Sequence, residues 1–168
     1  YMVLNKDQGN ANDFSPFSAP TGSVFTINNS NRVNNNGDDY VAYAWCNMPG
    51  LCKVGQYQGT GSATDSPVIY TGFKPALIMI KRVDSANDWN MQDIVRSPFN
   101  EMDNEVLQAN SNSSESNIGT GYARDHLSNG FKLRQGNTET NGSNAEYLYI
   151  AWSSAALSNQ YGGVPNAQ

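Results

Sequence analysis

The chain has 168 residues, 38% of them hydrophobic and 15% charged, with a formal net charge of −5. That length suits one domain with a single core and is short for two. With 10 Lys and Arg against 15 Asp and Glu, no basic stripe exists to follow a phosphate backbone, so nucleic acid and anionic membrane surfaces are not expected partners.

Much of the remainder is Asn, Ser, Gly and Thr, residues that bond their own backbone and favour turns over helix interiors. The expected fold class is all-β, an antiparallel β-sandwich of jelly-roll or lectin-like kind, with less than about one tenth helix. No run approaches the roughly 20 apolar residues of a membrane-spanning helix, so membrane insertion is not expected.

The chain opens on the strand-like run Tyr1-Met2-Val3-Leu4 without an initiator methionine, as expected of a processed chain or a segment of a longer one. Runs of β-branched and aromatic residues between turn formers predict strands over 2–4, 24–27, 40–46, 53–57, 68–73 and 76–82, then over 89–95, 105–108, 125–127, 131–134 and 147–152. Cys46 and Cys52 flank Met48-Pro49-Gly50, a turn that either brings them together as a disulfide or leaves two buried thiols. The run Ala76–Ile80 is apolar on both alternations and suits a central strand, with Pro75 marking its start. Ser128-Asn129-Gly130 predicts a tight hairpin with Asn or Gly at positive φ.

The sequence repeats itself once. Tyr40-Val41-Ala42-Tyr43-Ala44-Trp45 matches Tyr147-Leu148-Tyr149-Ile150-Ala151-Trp152. Each run follows an Asn-Gly turn, and each turn follows a short strand carrying Phe25 and Ile27 or Phe131 and Leu133. Period-two alternation puts Val41, Tyr43 and Trp45, or Leu148, Ile150 and Trp152, on one face, which is expected to be core. Trp45, Trp152, Phe131, Leu133, Ile78 and Ile80 are the expected buried residues. Either residues 1–168 form one sandwich domain, or 1–47 close a preceding repeat and 48–157 form the main one, with 158–168 a tail. An isolated hairpin is marginal in water, so 40–45 is expected to join a sheet with later strands.

Several motifs in order, Tyr40-Val41-Ala42-Tyr43, Val54-Gly55-Gln56-Tyr57-Gln58-Gly59, Val68-Ile69-Tyr70-Thr71-Gly72-Phe73-Lys74-Pro75-Ala76, Ile80-Lys81-Arg82-Val83-Asp84-Ser85 and Leu127-Ser128-Asn129-Gly130-Phe131-Lys132-Leu133, resemble an uncharacterised β-sandwich domain family of phage proteins. The resemblance covers most of 40–152. It is similar to modules of fibre and appendage proteins of tailed phages, cyanophages among them, and brings no catalytic residues to carry over.

Chemistry is sparse. Acyl transfer needs a nucleophile, a base and an orienting acid, and the only histidine is His126, beside the predicted hairpin; it is read as a strand or surface residue. Zinc needs clustered Cys and His, which are lacking. Asp84, Asp88 and Asp93, and the pair Asp103 and Glu105, are weak calcium candidates without EF-hand spacing. No pair of carboxylates is singled out for glycoside hydrolysis, and no phosphate loop or cofactor is indicated.

Sugar binding needs an exposed aromatic face flanked by hydrogen-bonding side chains. Trp89, with Asp93 and Arg96 close by, is the leading candidate, and Tyr57 and Tyr122 are weaker ones. Three glycosylation sequons begin at Asn28, Asn112 and Asn141, as chance allows in so Asn- and Ser-rich a chain.

The expectation is a non-enzymatic phage surface protein on the outside of the virion: a tail-fibre, appendage or capsid-decoration module, partnered by its own copies and other virion proteins, and aiding host attachment. The alternative is a lectin-like module that binds a host-surface polysaccharide.

Overall fold

The computed structural model describes residues 2, 4, 6–9, 18, 21–28, 30–100, 105–115 and 119–154. Among them the fold is all-β, with two antiparallel sheets and one short 3-10 turn, Gly119–Tyr122. The larger sheet contains β1 (Cys52–Gln58), β3 (Pro75–Arg82), β4 (Asn90–Asp93), β5 (Leu107–Gln108) and β8 (Glu146–Ser153), in the order β1-β8-β3-β4-β5. The smaller contains β2 (Val68–Tyr70), β6 (Arg124–Leu127) and β7 (Gly130–Leu133), in the order β2-β7-β6.

The doubly apolar run becomes β3, in the middle of the larger sheet between β8 and β4. Its register shifts between Pro75 and Leu77, where proline has no N–H to place in a ladder. β6 and β7 form the expected hairpin, with Leu127 opposite Gly130 across Ser128 and Asn129. Positive φ is not what the turn needs, since neither Asn129 nor Gly130 adopts it. Glycine is required at 130 for space: a Cβ there would collide with the carbonyl oxygen of Ile69 on β2.

One core joins the sheets. Ile69, Phe131 and Leu133 come from the smaller sheet, and Ile78, Ile80, Tyr147, Tyr149 and Ala151 from the larger. Phe131 meets Tyr149 edge to face, with ring centroids 5.5 Å apart, a favoured aromatic geometry.

Several expectations are corrected. On β8 the inward residues are Tyr147, Tyr149 and Ala151, while Leu148, Ile150 and Trp152 are only half-buried; the expected core face is reversed. Residues 40–46 are exposed and take no ladder position, and Trp45 is 56% exposed. Their pattern matches β8, but the place between β1 and β3 is filled by β8 itself. Residues 24–27 carry no strand beyond a single bridge residue at Ile27. The predicted strand over 2–4 and Asp103 lie in part or wholly outside the described residues.

Residues before 48 still touch the later sheet at a few points. The carbonyl of Asp7 accepts from Lys81 Nζ at 3.0 Å and from the Asn87 N–H at 2.7 Å. Asn47 Oδ1 accepts from the Val54 N–H of β1 at 2.7 Å.

Candidate functional site

Trp89, at the entry to β4, is only 7% exposed, and its backbone N–H donates to Asn110 Oδ1 at 2.8 Å. Tyr122 is equally enclosed, and burial pushes its phenol up to about 12. Neither ring offers the exposed stacking face expected of it. Apolar burial claims both rings, Trp89 just before β4 and Tyr122 at the end of the 3-10 turn.

Tyr57 is half-buried and stacks on Tyr147, and its hydroxyl donates to the Thr140 carbonyl at 2.6 Å. Asp93 and Arg96 do come together, as an ion pair of 2.6 Å, and Arg96 reaches Glu115 at 2.7 Å. Against the upward push of burial, the N–H groups of Arg96 and Val95 and the Arg96 guanidinium hold the Asp93 carboxyl below its ordinary range. Asp93 thus caps the turn that ends β4.

The calcium candidates do not converge. Asp84 pairs with Arg82 at 2.7 Å, while Asp88 accepts from Gln108 and Asn110, each at 2.6 Å. No group of three or more His, Cys, Asp or Glu suited to a metal ion occurs among the described residues. Cys46 and Cys52 are both free thiols, Cys46 exposed and Cys52 buried, because β1 turns Cys52 inward and leaves Cys46 outside. The Asn141 side chain is fully buried, accepting from the Thr60 N–H and donating to the Ser62 and Gln135 carbonyls. A glycan there would break that network.

Two features stand out instead. The first is the apolar segment left outside both sheets. Phe25, Ile27, Tyr40, Val41 and Tyr43 line an open cavity of about 430 Å³. Val41 is 79% and Tyr43 78% exposed. Tyr43 stacks on Trp45, which in turn meets Trp152 edge-on at 6.3 Å.

The second lies inside. Arg124 and His126 are buried on β6, opposite Leu133 and Phe131 in the hairpin register. His126 is therefore a strand residue, not a surface one. Its Nδ1 lies 2.7 Å from the Pro75 carbonyl oxygen, and burial lowers the imidazole to about 4. Sequence reasoning passed over Arg124. The available signal was the two-residue hairpin loop, which places 124 and 126 opposite the apolar residues 133 and 131.

An all-β domain of two antiparallel sheets around one core, with a histidine and an arginine enclosed and an aromatic segment outside, is the class these features define. The chain belongs to the family described as Domain of unknown function (DUF7483), which matches residues 1–155. No curated protein and no solved structure matches the chain significantly.

Proposed function

We propose that the chain is a non-enzymatic structural module of a virion surface, in a tail fibre, appendage or capsid decoration, that assembles with copies of itself and aids host attachment. The observation that carries this reading is the set of exposed apolar side chains Val24, Phe25, Tyr40, Val41, Tyr43 and Trp45, with Val24 at 58% and Val41 at 79% exposure. Contiguous apolar surface of this kind is rare on soluble monomers and marks sites of association. The occupant that fits is a second copy. Residues 40–45 repeat the pattern of β8, a strand that other strands cover on both sides, and appendages are built from identical subunits. The phage assignment is supported by the motif resemblance alone. The lectin-like alternative has no observation in its favour at Trp89 or Tyr122, which are enclosed.

Sedimentation of the wild-type chain against Val41→Asp and Tyr43→Asp tests the reading. Both side chains are exposed, so the variants should keep the fold. A multimer in the wild type that dissociates in the variants is expected. A wild type that stays monomeric at every accessible concentration would overturn it.

A further inference from the structure

The interior between the sheets has a polar side that the assembly reading leaves unused. The β6–β7 register puts Arg124 and His126 on the face that carries Leu133 and Phe131, and the β3–β4 register puts Asn90 on the face that carries Ile80. Both faces contribute to the shared core. Arg124 and Asn90 are wholly buried, and His126 is 4% exposed. The guanidinium nitrogens Nε, Nη1 and Nη2 have no hydrogen-bond partner, and neither do His126 Nε2 and Asn90 Oδ1.

A lone buried cation is costly, and hydrogen-bonding solvent alone does not neutralise it. Losing its proton is no escape at neutral pH, because burial brings Arg124 down only to about 10. The group whose field acts on it is the phenol of Tyr57, which burial keeps neutral. His126 Nε2 and Asn90 Oδ1 are acceptors. His126 carries its proton on Nδ1, facing the Pro75 carbonyl, and Asn90 commits its Nδ2 to the Asp88 carbonyl and to Glu139 Oε2. Among the described residues, three of the four buried side-chain donors without a partner belong to the Arg124 guanidinium, and the fourth is Arg134 Nε.

We propose that Arg124 holds a small monovalent anion of halide size, enclosed beneath β6 on its buried face. A spherical, weakly hydrated ion accepts from several N–H groups of the fork and supplies the missing charge. Water between it and His126 Nε2, two residues along the same face of β6, completes the hydrogen bonding of that acceptor.

The test compares thermal unfolding of the full chain in sodium chloride, sodium bromide and sodium gluconate at equal ionic strength, gluconate being too large to enter. The melting temperature should rise with the logarithm of halide concentration and not with gluconate. Arg124→Met, similar in length and uncharged, should lose the halide dependence. Crystals grown in bromide should show an anomalous peak within hydrogen-bonding distance of the Arg124 guanidinium, a measurement on the wild type that decides the matter if the variant does not fold. Equal melting temperatures in chloride and gluconate, the same halide response in Arg124→Met, or bromide bound only elsewhere would each overturn the proposal.

Discussion

Tyr57 on β1 and Tyr147 on β8 stand opposite each other in the antiparallel register and stack, their ring centroids 5.0 Å apart and their planes inclined by 15°. Tyr147 is fully buried, and its hydroxyl donates to the Thr138 carbonyl at 2.8 Å while accepting the Gly142 N–H at 2.7 Å. Tyr147→Ala should therefore cost roughly 3–5 kcal/mol, as for other large aromatic truncations. Tyr147→Phe keeps the stack but orphans two backbone groups, and should cost about 1–3 kcal/mol. Urea unfolding measures both, and an alanine variant within about 1 kcal/mol of wild type would reject the core assignment.

Gly130→Ala tests how closely the smaller sheet is drawn together. The added methyl meets the backbone carbonyl of Ile69, which cannot rotate aside as a side chain can. Pairing of β2 with β7 must loosen, at a cost of roughly 1–3 kcal/mol. Amide exchange should show Val68–Tyr70 losing protection before β8 does. Unchanged exchange across β2 would contradict the close approach.

Burial holds His126 down at about 4, against the raising contact with the Pro75 carbonyl, with Arg124 and Lys74 acting in the same direction as burial. The unfolded chain takes up a proton near 6.5. Between those values the unfolded state binds a proton that the folded state refuses, so stability is lost as pH falls through this window and is unaffected above it. Asp84 and Asp93, with carboxyls held below 3.8, act only at lower pH. From about pH 7 to about pH 4.5 the wild type should lose roughly 2–3 kcal/mol more than His126→Gln in urea unfolding. Equal losses would show that the imidazole is not enclosed.

The two thiols should behave differently. Cys46 is exposed and Cys52 buried, and burial, followed by the neighbouring Cys46, pushes the Cys52 thiol up. A maleimide should modify Cys46 in the native chain and reach Cys52 only after denaturation, since the thiolate is the reactive form. Native protein that takes up no label until a reductant is added would indicate a disulfide instead.

What the sequence determined by itself is local. Ala76–Ile80 could only be an inner strand, and Leu127 and Phe131 around Ser128-Asn129-Gly130 could only be a hairpin, because alternation and turn chemistry act over a few residues. Which of two matching runs enters the sheet was decided by tertiary packing. In the echo, Ala42 stands where Tyr149 stands in β8. Tyr149 lies over Gly55 on β1, where a Cβ would come within 2.7 Å of its ring, and it also meets Phe131 of the other sheet. Alanine at that place would leave a void costing several kcal/mol, so Glu146–Ser153 fills the slot and Tyr40–Trp45 stays outside. The same cause reversed the faces of β8: alternation marks two faces, but only the partner across the interior decides which is inside. The enclosure of Arg124 was equally invisible in one dimension, because a charged residue in a strand reads as solvent-facing until a second sheet closes over it.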